Sequence, residues 1–296
     1  MIHRLTARAR GLTAAVFAGA LALGVVPAIA ASPAASAIVS VAEGPPFRVI
    51  RDAGVYAASR GIILSPGDIV ESQPASFLVL EIKGAGTAAL VGIGPATRAY
   101  WMPGRDSITL ALLEGWIKVD TGPTSAGPEV RALARRLGAA SSGGVYVLHA
   151  GADGDEVFHE SGTMTLYTLK PDGTATAGAS KPSEFASRAG TSGALQTRLG
   201  PAAAFVAGLP AAFRDPLPAG LSAKLRGGAE PRPVRQVSYD DLAQWLAAPR
   251  DWRRGFIERF EVRLEDPLFF RAMDQHMSAH PEWYRILHRS PAASAP

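Results

Sequence analysis

The chain has no cysteine and no asparagine among its 296 residues. Without cysteine there are no disulfides, no thiolate chemistry, no Cys-ligated zinc and no lipid anchor on an N-terminal cysteine. Missing asparagine beside abundant alanine, arginine, glycine and proline reads as the coding bias of a GC-rich bacterial genome, which weakens any argument from composition alone. Charge of one sign is also scarce. The first thirty residues hold three arginines and no acid, and setting them aside leaves 27 basic against 26 acidic residues. A general nucleic-acid binder needs a basic face that makes many phosphate contacts, and this balance does not suggest one. Beyond the N-terminus no run is long and apolar enough to cross a bilayer as a helix.

The N-terminus itself has the order of a secretory signal peptide: Arg4, Arg8 and Arg10, an uncharged run from Gly11 to Val26, then Pro27 and Ala28-Ile29-Ala30. Cleavage is expected after Ala30, with Ala35-Ser36-Ala37 as the second site. The apolar run is shorter than the about 20 residues of a spanning helix and proline breaks it, so residues 1–30 are expected to be removed and the mature chain to be periplasmic. Residues 31–46 read as a flexible mature N-terminus.

From residue 47 to 169 short apolar runs alternate with turn residues about every ten positions, the pattern of an all-β unit. Strands are expected at Phe47 to Arg51, Gly67 to Ser72, Phe77 to Ile82, Ala88 to Ile93, Thr97 to Trp101, Val145 to His149, Val157 to Glu160 and Met164 to Leu169. Ile108 to Val119 reads as two more, Ile108 to Leu113 and Trp116 to Val119, with Glu114-Gly115 as the turn between them. Residues 120–143 read as an excursion with one short element around Val130 to Leu137. Residues 170–193 are poor in apolar side chains and read as a linker. In 194–237, Phe205, Leu209, Phe213 and Leu217 are broken up by prolines, which points to short helical turns packed on a neighbour. Residues 238–290 are helical in pattern. Ser238 with Asp241 is a capping signal, and Asp266-Pro267 is a cap with a first-turn proline. Residues 291–296 read as a disordered tail.

Arg48 to Val119 resembles the FecR-type domain of bacterial periplasmic proteins, with a looser likeness as far as Leu169. The resemblance rests on Gly67-Asp68-Ile69-Val70-Glu71-Ser72, on Gly94-Pro95-Ala96-Thr97, and on Leu112-Leu113-Glu114-Gly115-Trp116-Ile117-Lys118-Val119. It implies a mainly β N-terminal module, solenoid or sandwich-like, followed here by a small α-helical C-terminal region. Some members of that family relay a signal from an outer-membrane receptor to an inner-membrane partner. This sequence departs from them: no cytoplasmic region and inner-membrane helix precede the module, and the closing motif is approximated only by Gly144-Val145-Tyr146-Val147 and Gly162-Thr163-Met164. Both departures count against an anti-sigma role.

Motifs that carry chemistry are weak throughout. Gly84-Ala85-Gly86 and Gly92-Ile93-Gly94 do not open a helix, as a dinucleotide site requires. There is no G-x-S-x-G nucleophile elbow. Glu71, Glu81, Asp106 and Glu114 are carboxylates whose pairing only a structure can decide. His149 and His159 could meet across strands around a metal, and His276 with His280, four apart on one helix face, are the weak metal candidates. Tyr100, Trp101 and Trp116 are the candidate recognition surface, since Trp and Tyr concentrate in binding hot spots. The arginines and acids of the C-terminal region read mainly as a solvated helix face. No catalytic residue and no cofactor is expected. The expected function is that of an exported, non-enzymatic cell-envelope protein acting in partner recognition, signalling or envelope assembly, its partner an envelope protein or a glycan. The alternatives are an envelope enzyme acting on polysaccharide or peptidoglycan, and a cupin-like ligand barrel.

Overall fold

The computed structural model describes residues 36–83, 88–104, 108–123, 129–190, 193–225 and 228–288. The expected signal peptide, the Gly84-Ala85-Gly86 segment, Asp106 and the expected tail 291–296 lie outside the described residues. In chain order the strands are β1 (Ser36–Glu43), β2 (Phe47–Arg51), β3 (Gly54–Ala58), β4 (Ile63–Leu64), β5 (Ile69–Glu71), β6 (Phe77–Lys83), β7 (Ala88–Ile93), β8 (Arg98–Met102), β9 (Ile108–Asp120), β10 (Val130–Leu133), β11 (Leu137–Ala150), β12 (Gly154–Leu169), β13 (Ala175–Ser180), β14 (Glu184–Ala189) and β15 (Gln196–Leu199). Then come α1 (Ala203–Gly208), β16 (Arg232–Gln236), α2 (Tyr239–Leu246), α3 (Phe256–Phe260), α4 (Pro267–Gln275) and α5 (Tyr284–Leu287), with short 3₁₀ turns between them. The fold is mostly β-sheet with a few short C-terminal helices, as the sequence pattern implies.

Among the described residues the strands join into one sheet that does not close. An open sheet excludes the closed cavity that a cupin-like barrel requires. The sheet nonetheless curls over a single interior: Val39, Phe47, Leu80, Val91, Trp101, Leu112, Ile117, Tyr146, Leu148 and Val157, from strands far apart in the pairing order, share one buried cluster. A flat sheet could not bring them together, and wrapping is how a large antiparallel sheet buries one face of every strand.

Strand β9 is where the curl is made. Its first half pairs with β8 and, in parallel, with β10; its second half pairs with β7 and β11. Inward-facing residues are Ile108, Leu110 and Leu112 before Glu114-Gly115, and Ile117 and Val119 after it. The inward set therefore changes from even to odd positions. Side chains in a strand alternate with period two, so such a change needs one extra residue. The register shows it, with Arg98 opposite Glu114 but Ala99 opposite Leu112. Glu114-Gly115 is thus a bulge within one continuous strand, which corrects the expected turn between two strands. Gly115 has φ +96, open to glycine and costly to other residues.

The residues that carry the family resemblance converge on this bulge. The Ser72 hydroxyl donates to the Gly94 carbonyl at 2.6 Å and accepts from the Thr97 N–H at 2.8 Å. The Thr97 hydroxyl in turn accepts from the Trp116 N–H at 3.0 Å, and the Gly94 N–H donates to the Trp116 carbonyl at 2.9 Å. The motif is a knot of hydrogen bonds that fixes the bend. It carries no reactive group.

Two outer layers cover the backs of the sheet. Ile50, Val55, Ile69, Tyr100, Ala111 and Leu113 form one buried cluster with Leu242, Trp245, Phe256, Phe260, Met273 and Trp283 of the C-terminal helices. Helices this short are unstable alone and owe their persistence to that packing. α2 starts with the capping box expected at Ser238 and Asp241, and α4 with the cap at Asp266. Arg259 fastens the layer by donating to the carbonyls of Ile50 and Asp52, both at 2.8 Å, and of Gly67. The second layer is the segment around α1, where Phe205, Phe213 and Leu217 pack on Phe77, Val79, Val147 and Phe185. Lys118, buried on β9, donates to the carbonyls of Phe213 at 2.8 Å and Asp215 at 3.2 Å and pairs with Glu160 at 2.9 Å.

Three expectations about chain organisation are corrected. Residues 36–43, expected in a flexible N-terminus, form β1, whose Ala37 and Val39 are core. Residues 170–193, expected as a linker, carry β13 and β14, both paired with β12. β13, made of small residues, is exposed along nearly its whole length, while β14 lies between β12 and β15 and buries only Phe185 and Ala186. Residues 137–150 and 154–169 are two long strands of one hairpin, with Gly162 at φ +77 easing the bend where two separate strands were expected.

Candidate functional site

Most of the charge carried by the strands is used in building the structure. Glu71, buried on β5, meets Arg48 at 2.5 Å and Arg98 at 3.5 Å, and Arg98 also reaches Glu114 at 3.3 Å. Glu81 accepts the N–H groups of Leu221 at 2.8 Å and Ser222 at 3.1 Å. Burial opposes the Glu81 charge, but these donors outweigh it and hold the carboxyl below its usual value. Asp68 takes a two-pronged contact from Arg51 at 2.9 and 2.6 Å. Asp155 is pushed up by burial against the opposing pull of Arg136, at 3.0 Å. The described carboxylates weighed for catalysis, Glu71, Glu81 and Glu114, therefore already have structural partners.

The expected recognition aromatics separate. Tyr100 is 2 % exposed, its ring edge-on to Trp245 at 6.0 Å and Phe256 at 5.4 Å, and Trp101 is 3 % exposed in the interior cluster. Both are corrected from surface to core: β8 has a covered back as well as a core face, so Ala99, Tyr100 and Trp101 are buried whichever way they face. Trp116 is only half-buried. Its ring lies beneath Phe205 at 5.1 Å and stacks on His149 at 3.9 Å and 15°.

His149 sits opposite Trp116 across β9 and β11, and opposite Glu156 across β11 and β12. Glu156 is opposite Ser187 on β14, and Ser187 is opposite Gln196 on β15. Trp116, His149, Glu156, Ser187 and Gln196 thus form a cross-strand row running from beside the α1 cap to the sheet rim. The last four line a groove of about 520 Å³ together with Gly154, Arg188 and the hairpin turn at Gly151–Asp153. Within the row, His149 Nδ1 is 2.9 Å from a Glu156 carboxylate oxygen. The groove therefore presents an imidazole–carboxylate pair, a hydroxyl and an amide side by side, a set of donors and acceptors suited to a polar partner surface. Reading the sequence located Trp116 and His149 but missed Glu156, Ser187 and Gln196. Two of those three lie in segments whose strands are defined only by their pairing.

The metal candidates His276 and His280 both lie against Tyr239. His280 is fully buried with Nε2 3.5 Å from the Tyr239 hydroxyl, while His276 stacks on Tyr239 at 4.9 Å and hydrogen-bonds the Ala272 carbonyl through Nδ1 at 2.9 Å. His149 and His159 do not meet, because His159 lies opposite Tyr146. Among the described residues no group of three or more His, Cys, Asp or Glu could hold a metal ion. Among them, too, no helix is long and apolar enough to cross a membrane.

Fold and groove together define an open, curled β-sheet protein with a helical layer on one back. No protein-family model and no curated protein matches the chain. Two crystal structures of a proposed anti-sigma factor from Parabacteroides distasonis resemble it, at 11% and 12% identity and a TM-score of 0.36 in each case. Each match covers 45% of this chain and 59% of the other, so the chain spans less than two thirds of the protein it resembles.

Proposed function

We propose that this is an exported, non-enzymatic cell-envelope protein with a FecR-like domain, and that it works by recognition in signalling or envelope assembly. Residues 1–30 direct export, and the mature chain acts in the periplasm. Its partner is an envelope protein or a glycan. The observation that carries the reading is the row of Trp116, His149, Glu156, Ser187 and Gln196, which places unlike polar groups along one groove on a rigid sheet while the buried charges are occupied structurally. Rigid polar rows of this kind select partners by matching donors with acceptors.

Removing residues 238–296 would bare the apolar back of β2, β5, β8 and β9, so a point change is the cleaner test. The mature chain and Ser187→Arg are each used as bait in envelope extract and co-sedimented with insoluble envelope polysaccharide. A protein or glycan retained by the natural chain and lost with Ser187→Arg supports the reading. Equal retention by both, or by neither, rejects it. Cell fractionation with N-terminal sequencing checks export separately, with Ala31 expected as the first residue.

A further inference from the structure

The charges of the groove are unevenly matched. Asp153, Asp155 and Glu156 line it against a single guanidinium, that of Arg188. Asp155 is buried and held by Arg136 at 3.0 Å. Arg188 is committed to backbone: its Nε donates to the Gly193 carbonyl at 2.8 Å, and its Nη1 to the carbonyls of Leu169 and Arg136. Glu156 and Asp153 are what remains. Glu156 shares Oε2 with the His149 ring, and among the described residues its other oxygen has no hydrogen-bond partner. Asp153 is exposed in the hairpin turn, and among those residues its carboxylate has no partner either.

The uncharged lining narrows the choice of occupant. It is made of small residues, Ala152, Ala189 and Ala194 with the glycines beside them, and no Trp, Tyr or Phe belongs to it. The neighbouring Trp116 offers little more, because the His149 ring lies flat against one of its faces and Phe205 packs on it at 5.1 Å. A sugar ring gains much of its affinity by resting its C–H face on an open aromatic ring, and the groove presents none. A phosphate or an acidic side chain would be repelled by Asp153 and Glu156. A long cationic side chain fits both features, with its apolar stem along the small walls and its charged head at the carboxylates. Building on the recognition function above, we propose that the groove takes a lysine or arginine side chain of a protein partner. Glu156 is its main acceptor and Asp153 the second, at the turn.

The test uses a defined probe. Acetyl-Gly-Arg-Gly-amide is titrated from about 0.1 to about 20 mM into the isotope-labelled mature chain, and amide chemical shifts are followed. The citrulline counterpart, of the same shape without the charge, and the tetramer of N-acetylglucosamine are titrated in parallel. The arginine peptide should shift the amide signals of His149, Glu156, Ser187 and the turn, with a Kd in the millimolar range. Binding should be about fivefold weaker for the citrulline peptide and for Glu156→Gln. Ser187 lies opposite Glu156 across β12 and β14. Ser187→Arg therefore supplies its own guanidinium to Glu156 and should abolish binding, whereas Ser187→Glu adds a carboxylate and should tighten it. If the groove selects by shape alone, both substitutions weaken binding, which overturns the proposal. It is overturned equally by an arginine peptide that leaves the groove signals unmoved, by a citrulline peptide that binds as well, or by a tetramer that moves those signals where the arginine peptide does not. The two readings fail separately. Envelope capture lost in Ser187→Arg beside a silent arginine peptide overturns the cationic occupant and leaves recognition standing, while equal capture by both chains rejects recognition whatever the peptide does.

Discussion

Replacing Gly115 with alanine tests the bulge that turns β9 from one set of neighbours to the other. Two costs add. The residue has φ +96, and an L-residue held in the left-handed region costs about 1–2 kcal/mol. A Cβ there would lie 2.3 Å from the Thr97 hydroxyl oxygen and 2.6 Å from the Thr97 Cα. Rotating the Thr97 side chain could relieve the first contact. The second is with backbone, so β9 or the 94–97 turn must move, at an overpacking cost of about 1–3 kcal/mol. The sum, about 2–5 kcal/mol, is a large part of the about 5–15 kcal/mol that holds a domain folded. For a chain of this size it corresponds to a melting temperature lower by about 5–15 °C. Urea unfolding followed by tryptophan fluorescence, with thermal melts by circular dichroism, measures it. Gly122→Ala is the control, because Gly122 has φ +75 with nothing within 4 Å of its added Cβ. It should lose only about 1–2 kcal/mol. If the two variants lose equally, Thr97 does not constrain the bend and the knot described above has no mechanical role.

Three further outcomes follow from the C-terminal layer. Arg259→Met removes the donors to the carbonyls of Ile50, Asp52 and Gly67 and should cost about 2–4 kcal/mol, with Arg259→Lys intermediate; urea midpoints and faster amide exchange in α3 are the readout. Burial pushes His280 below its usual value, with Arg253 and His276 adding to the effect and Glu282 opposing it, so folding favours the neutral ring. Its stabilising contribution is full above about pH 6.5 and declines as pH falls below that, so the urea midpoint should drop between pH 7.5 and 5.5, and less so in His280→Gln. A midpoint drop of the same size in that variant would discount His280. Despite burial, Arg235 and Ser238 hold Asp241 at about 2. Its contribution is present above about pH 4 and lost as pH falls through about 2; an acid titration by near-ultraviolet circular dichroism should show a step there that Asp241→Asn lacks.

The sequence alone determined most of what is local. Period-two alternation and turn residues placed β2, β6 and β7 at or within a residue of their observed ends, and capping chemistry placed the starts of α2 and α4. These signals are legible because they arise from residues within a few positions of one another. Even the bulge left a trace, the change of inward parity between Leu112 and Ile117, although a glycine after a strand-like run more often signals a turn. Tertiary structure decided the rest. β13 and β14 exist because β12 offers them an edge; apart from Phe185 and Ala186 their residues bury little and carry almost no hydrophobic pattern. Tyr100 is core because a layer more than a hundred residues away in sequence covers the back of β8, and Trp101 is core because the sheet curls over the interior it faces, neither of which a local pattern could announce. The groove depends on the same kind of fact: Glu156, Ser187 and Gln196 become neighbours only through strand register, set by pairing across the sheet and not by spacing along the chain.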